Sequence, residues 1–319
     1  MNIIYLILGF IVIIKASDML VSGSVNLAKF LKIPTLVIGL TVIAIATGVP
    51  EIAISISSSL KGSNGLLLGN LLGSNLFNIL FILGLIALIR PLYIKKEIIL
   101  KNYVFALLSC IVLLVVASDA IFLDNKINLI TRTEGILLLL FAFIFSYSTV
   151  LDATLNKKAK IETSKFSFKD ILYIVFGIIL IVLSAEVIVN SCVNISKYLG
   201  VSEDLIGLTI IAVGTNLPEL VTSIVAVKKG ESDIAIGNLV GTNIYNIFLI
   251  LGLSSTINPI TISTNAYIDI IILTITSFIV YIFIRHKKDI NKIEGITMIL
   301  LYIIYIVYVV VRWIIIKKI

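Results

Sequence analysis

The sequence predicts an all-α membrane protein with ten transmembrane helices in two inverted five-helix repeats, whose helices break near the membrane midplane. Three observations carry this expectation: the apolar content, its division into span-length runs, and an internal repeat. The chain has 319 residues, of which 59% are hydrophobic and 13% charged, with a mean hydropathy of +1.16. That is the apolar content that about ten spans of ~20 residues need, and more than a soluble fold can bury.

In chain order, apolar runs bounded by polar residues fall at Ile3 to Val21, Thr35 to Leu60, Leu66 to Ile89, Tyr103 to Ala117 and Gly135 to Leu151. Five more fall at Ile171 to Val189, Leu205 to Val227, Ile234 to Ile257, Tyr267 to Ile284 and Gly295 to Ile316. None alternates with the period of a barrel strand, so all are expected to be helices. The opening MNIIYLILGFIVII has neither a basic leader nor a small-residue cleavage site, which predicts a retained first span and a mature start near Met1.

The polar stretch 152–170 predicts a linker between a first half, 1–151, and a second, 171–319. Lysines and arginines segregate: 17 of the 25 fall after odd-numbered spans, 7 on the other side, and Lys15 lies within the first span. The positive-inside rule therefore puts the linker in the cytoplasm and both termini outside, in a cell membrane. The net charge of +7 is spread between spans and forms no single basic patch, so a lipid bilayer is the expected partner and nucleic acid is not. Cys110 and Cys192 sit in or beside apolar runs and are expected to be packed thiols.

The repeat has a fixed offset of 168 residues. GLTVIAIATGVPE (39–51) lies on GLTIIAVGTNLPE (207–219), and LLLGNLLGSNLFNILFILGL (66–85) lies on IAIGNLVGTNIYNIFLILGL (234–253) without a gap. Asp18, Asn26 and Lys29 likewise meet Glu186, Asn194 and Lys197. An odd number of spans per half inserts the halves upside down relative to each other, the plan of secondary transporters with a site between the repeats.

Glu51 and Glu219 fall inside otherwise apolar spans, where an uncompensated carboxylate costs about 2.5–3.5 kcal/mol. A bound cation would compensate both; protonation with hydrogen bonding, or pairing with Lys15, is the structural alternative. Pro50 and Pro218 precede the glutamates and, with Gly48 and Gly214, predict broken helices with exposed backbone carbonyls, against the alternative of simple packing kinks. Spacing of four puts Thr47, Glu51 and Ser55 on one face, as it does Thr215, Glu219 and Ser223. Asn70, Ser74 and Asn78 form a second stripe, repeated by Asn238, Thr242 and Asn246, which could equally be polar glue between helices at Gly69, Gly73, Gly237 and Gly241.

All these groups are hard oxygen donors, which suit Na⁺ or Ca²⁺ and disfavour zinc or copper. Two carboxylates balance Ca²⁺, whose irregular shell of about 6–8 oxygens is easier to build here than the strict octahedron of Mg²⁺. No nucleophile–base pair, metal–histidine cluster or phosphate loop is present, so an enzyme is not expected, nor is any cofactor. Outside the motifs, Lys15 is placed to pair with Asp18 three residues on, and Asp18 and Glu186 are expected to serve as helix-end or loop partners. His286 is expected in a solvated loop, and Tyr302, Tyr305, Tyr308 and Trp313 in packing and an interfacial belt.

The paired ATGVPE/GTNLPE and GNLLGSNLFNI/GNLVGTNIYNI motifs resemble the two alpha-repeats of the calcium/cation antiporter superfamily, most closely its prokaryotic sodium/calcium exchangers. The resemblance covers the order and spacing of motifs along the whole chain. It implies a monomer that exchanges several Na⁺ for one Ca²⁺ by alternating access, with spans one and six sliding against the other eight. Glu51 and Glu219 match the central ligands, Thr47, Thr215, Ser74, Thr242 and Asn78 the other oxygen ligands, and the carbonyls of Ala44 and Ala212 the backbone ligands. Gly48 and Asn216 stand where the family usually has Ser, and Asn246 where Asp is common. These departures lower the acidic count and leave open the number of monovalent sites and the replacement of Na⁺ by Li⁺ or H⁺. A proton/cation exchanger of the same superfamily, and more remotely a channel, are the competing expectations.

Overall fold

A bilayer core offers no water to backbone N–H and C=O groups, so long apolar runs become helices that satisfy those groups internally. The computed structural model describes residues 2–93, 98–119, 127–155, 167–198, 212–287 and 289–318. In order come α1 (Asn2–Leu31), α2 (Thr35–Ile38), a π-helical turn at Gly39–Ile43, α3 (Ala44–Thr47) and α4 (Val49–Leu60). Then follow α5 (Asn64–Leu76), a second π-turn at Phe77–Ile82, α6 (Leu83–Ile89), α7 (Val104–Val116) and α8 (Arg132–Leu155). The second half has α9 (Phe168–Tyr198), α10 (Ala212–Gly214), α11 (Leu217–Lys228), α12 (Ser232–Tyr245), a π-turn at Asn246–Leu251, α13 (Gly252–Ile257), α14 (Thr264–Lys287) and α15 (Lys292–Lys318).

Among the described residues, 7 helices are long and apolar enough to cross a membrane, or up to 8 when the bent pair Thr35–Thr47 and Val49–Leu60 counts as one span. The fourth expected span is the shorter helix Lys101–Val116. Residues 199–211, which carry the start of the seventh expected span, and 156–166 of the expected linker lie outside the described residues, as do the side chains of Lys197, His286 and Trp313. Within the expected linker 152–170, α8 continues to Leu155 and α9 begins at Phe168. Ser167 N–H donates to Asp170 Oδ2 at 2.8 Å, so the polar residues at the start of α9 serve as a cap rather than as linker.

Two pairs of short strands tie the halves together. β1 (Leu92–Tyr93) pairs antiparallel with β4 (Asp289–Ile290), placing Leu92 opposite Ile290. β2 (Asn128–Ile130) pairs antiparallel with β3 (Ile260–Ile262), placing Leu129 opposite Thr261. By the sequence reading the first pair joins loops after spans three and nine, and the second joins loops after spans four and eight. Each pair thus unites loops expected on one membrane face, as a hydrogen-bonded ladder requires.

α1 and α9 lie along each other over most of their length, and small residues set their approach. A Cβ at Gly9 would sit 2.7 Å from Ile188 Cγ1, and one at Gly177 would sit 3.0 Å from the backbone nitrogen of Leu20. Asn26 Nδ2 donates to Asp170 Oδ1 at 2.7 Å near one end of this pair. Asp18 does not take Lys15 as its partner; its Oδ1 meets Lys229 Nζ at 2.7 Å, and its backbone oxygen accepts from the same ammonium at 3.1 Å. The turn at Gly230, with φ of +83°, brings Lys229 onto this face of α1, where Ser22 Oγ is a further acceptor. Buried Cys110 lies 3.5 Å from Ser277 Oγ, and both cysteines are free thiols.

At the far end of α15, Arg312 grips Asp269 of α14 through two bonds of 3.0 and 2.9 Å, and its guanidinium lies 5.1 Å from the centre of the Tyr308 ring. With only 19% and 11% of these side chains exposed, removing one partner strands a largely buried charge. Asp269→Ala is expected to cost about 2–3 kcal/mol, below the ~3–5 of a fully buried pair. An apolar Asp269→Leu/Arg312→Met double replacement should recover most of it. Thermal melting of purified protein checks both: a single variant as stable as its parent would show that the pair contributes nothing.

Candidate cation site

Pro50 and Pro218 each occupy the first turn of a short helix, where a missing N–H is tolerated. The chain bends by 49° between Thr35–Thr47 and Val49–Leu60. The break is centred on Gly48, at φ −76° and ψ 3°, and its repeat counterpart on Asn216, at φ −92° and ψ 4°. Gly214, expected to act with Pro218 in that break, is the last residue of α10, where a Cβ would collide with the Val189 side chain.

The break puts Glu51 and Glu219 each in the first turn of a half-helix, α4 and α11, where the unpaired N–H groups and helix dipole favour negative charge. Both residues are 0% exposed. All four carboxylate oxygens are buried without a hydrogen-bond partner. The two side chains lie within electrostatic reach of one another. Among the described residues no lysine or arginine is bonded to either, and there is no group of three or more His, Cys, Asp or Glu.

Neutral oxygens lie in the same buried interior, and their hydrogen bonds cross between the halves. Thr47 Oγ1 donates to Asn238 Oδ1 at 3.0 Å, and its repeat counterpart Thr215 Oγ1 donates to Asn70 Oδ1 at 3.5 Å. Asn216 Nδ2 donates to Ser74 Oγ at 3.2 Å and to Thr215 Oγ1 at 3.3 Å. Thr242 Oγ1 donates to the Ala44 carbonyl at 3.4 Å, which also accepts the Gly48 N–H at 3.2 Å. The backbone of Ala212 lies in α10, while its side chain is outside the described residues. Ser55, Ser223, Asn78 and Asn246 are each 0% exposed. The sequence-derived set is thus brought into the buried interior, with Asn70 half-buried at its margin.

Two participants were missed by the stripe argument. Asn75 and Asn243, 1% and 3% exposed, bond to one another's backbone and to Asn246 and Asn78. Their signal was the GSN and GTN triplets at the repeat offset, but a spacing of four selects Ser74 and Thr242 and skips the next residue.

Helix packing carries this geometry. A Cβ at Gly237 would lie 2.7 Å from the Leu36 carbonyl oxygen, and one at Gly39 would lie 2.7 Å from that of Ile234. Backbone thus meets backbone where α12 crosses the helix leading into Thr47.

A helical membrane protein that buries an uncompensated carboxylate pair among neutral oxygens is a transporter-type architecture for cations. The family model described as "Sodium/calcium exchanger protein" matches residues 1–151 and 169–311. The chain belongs to the sodium/calcium exchanger family. It is 35% identical to the inner membrane protein YrbG of Escherichia coli, with 82% of each chain covered. It is 30% identical to the sodium/calcium exchanger MaX1 of Methanosarcina acetivorans, over 94% of this chain and 95% of that protein. A solved structure of the sodium-calcium exchanger NCX_Mj, soaked with Na⁺ and Ca²⁺, matches with a TM-score of 0.84 at 31% identity, covering 96% of this chain and 97% of that one.

Gly237→Val is expected to force the two backbones apart at a cost of about 1–3 kcal/mol. Its melting temperature should fall and cation binding should weaken; unchanged values in both would mean that this crossing does not hold the site.

Proposed function

We propose that this protein is a secondary active antiporter that exchanges Na⁺ for Ca²⁺ by alternating access, with Glu51 and Glu219 as central ligands. The observation that carries the reading is the four buried carboxylate oxygens without a hydrogen-bond partner, at positions 168 residues apart. Desolvating two carboxylates costs several kcal/mol each, and among the described residues no basic side chain pairs with either to offset it. A divalent cation between them would neutralise both, and Na⁺ would do so in part with help from neutral oxygens. Thr47, Thr215, Ser74, Thr242, Asn78, Asn246, Asn216 and the carbonyls of Ala44 and Ala212 complete the proposed set. Competition of Na⁺ and Ca²⁺ for one set of oxygens couples their fluxes. If three Na⁺ move against one Ca²⁺, one net charge crosses per cycle, worth about 2.3 kcal/mol per 100 mV.

The two repeats are proposed to be inverted, in a ten-span monomer of the cell membrane with both termini outside and the 152–170 linker in the cytoplasm. Unequal bonding in the halves supports alternating access. Asn238 Nδ2 donates to Ser223 Oγ at 3.4 Å, whereas the repeat counterparts Asn70 Nδ2 and Ser55 Oγ have no partner. Asp18 pairs with Lys229, whereas the counterparts Glu186 and Lys61 make no ion pair among the described residues. One fixed state of a carrier built from two similar halves would carry such an asymmetry.

The test is ⁴⁵Ca²⁺ uptake into voltage-clamped proteoliposomes loaded with Na⁺, beside vesicles loaded with K⁺, Li⁺ or choline. Uptake that requires internal Na⁺ is the expected result. Uptake driven by a pH step without Na⁺ would instead make the protein a proton/cation exchanger, and conductance without a counter-ion would make it a channel. Glu51→Gln and Glu219→Gln should each lower uptake by about two orders of magnitude or more. Each removes a charge worth about 4 kcal/mol per unit of cation charge at ~4 Å and an effective dielectric of ~20. Wild-type flux in either folded variant would refute the site. For topology, a cysteine placed at Ser164 should resist an impermeant thiol reagent added outside intact cells; labelling from outside would reverse the orientation.

A further inference from the structure

We infer that Asn75 and Asn243 are positioning residues that force the side-chain amides of Asn246 and Asn78 to present oxygen, and not N–H, to the cation; this rests on the site proposed above. Two backbone oxygens, which can only accept, set the geometry. Asn75 Nδ2 donates to the backbone oxygen of Asn243 at 3.3 Å, and Asn243 Nδ2 donates to the backbone oxygen of Asn75 at 3.2 Å. Rotating either amide by half a turn would press Oδ1 against a carbonyl oxygen, so the orientation of both is determined. Their Oδ1 atoms must then face the other way. There Asn75 Oδ1 accepts from Asn246 Nδ2 at 2.9 Å, and Asn243 Oδ1 accepts from Asn78 Nδ2 at 3.0 Å.

The second amides are thereby oriented in turn. With Nδ2 of Asn78 and Asn246 engaged, Oδ1 of each is the atom left over, and both are buried without a partner. All four residues are at most 3% exposed, so water does not offer the amides an alternative. Each relay crosses the molecule: the backbone of one half fixes an amide of the other, which fixes an amide back in the first half. An amide that could turn would present N–H groups, which repel a cation, in some of its states. The lock removes those states before any ion arrives. It also gives the Asn246 departure a consequence: an aspartate there presents oxygen whichever way it turns, whereas asparagine needs its orientation imposed.

The experiment is equilibrium ⁴⁵Ca²⁺ binding to the purified full-length protein, with Na⁺ competition, on a double-mutant cycle. Asn75→Leu and Asn246→Leu, each alone, should weaken Ca²⁺ binding by about tenfold or more. Combined, they should weaken it no more than Asn246→Leu alone, because Asn75 acts only through the amide that has been removed. In an Asn246→Asp background, Asn75→Leu should change affinity less than about twofold, since a carboxylate cannot be mis-oriented. Additive losses in the cycle, or the same loss in the aspartate background, would make Asn75 a packing residue and overturn the inference while leaving the site intact. Asn246→Leu with unchanged affinity would remove Asn246 from the site and overturn both. The mirror cycle of Asn243→Leu with Asn78→Leu applies the same criteria should Asn75→Leu fail to fold.

Discussion

The rest of the structure depends on a buried pair of carboxylates that no basic side chain neutralises. Glu51 and Glu219 are wholly buried, and none of their oxygens is hydrogen-bonded. An apolar helical interior would expel them, so the surrounding chain is built to tolerate negative charge. Each helix breaks three residues before its glutamate, at Gly48 and Asn216, which places the carboxylate in the first turn of a new helix where N–H groups lack intrahelical partners. Neutral oxygens fill the neighbouring faces. Such a pair is stable in the company of a cation and unfavourable without one, and that difference is what an ion-binding membrane protein can use.

The same constraint explains why the two halves of the chain are not separable units. Thr47 bonds to Asn238, Thr215 to Asn70, Asn216 to Ser74 and Thr242 to the Ala44 carbonyl, and each bond joins one half to the other. The two asparagine relays add four more such bonds. Backbone-to-backbone packing at Gly39 and Gly237 and the paired strands at the loops hold the halves in the register these bonds need. In a membrane the solvent is as apolar as the side chains, so close packing and interhelical hydrogen bonds, rather than apolar burial alone, set that register.

Much of this was legible in one dimension. Apolar runs mark helices because the bilayer leaves the backbone no other way to satisfy itself, and the runs match the described helices well. The Pro–Glu dipeptides identified both helix breaks, since a missing N–H and a buried charge are properties of the residues themselves. Proximity was less legible. Asp18 was assigned to Lys15 by helical spacing, but the nearest ammonium comes from Lys229, because the fold delivers a turn from the other half to that surface. A spacing of four from Asn70 and Asn238 selects Ser74 and Thr242 and skips Asn75 and Asn243, whose partners lie in the other half of the chain. The ends of the polar stretch 152–170 are helical, because a polar cap at a helix start has the composition of a loop.

The sequence by itself determined the class of the protein, the order of its membrane segments, the repeat with its offset, and the chemistry on offer: two carboxylates, hydroxyls and amides, all hard oxygens. These follow from side-chain polarity and covalent geometry, which travel with each residue wherever it lies. Only the tertiary structure decided which half supplies the partner of each polar group, that the four carboxylate oxygens are left without one, and which atom of each buried amide points inward. Those are relations between residues more than 140 positions apart. They are settled by packing and by the rule that a carbonyl oxygen can only accept, neither of which local sequence encodes.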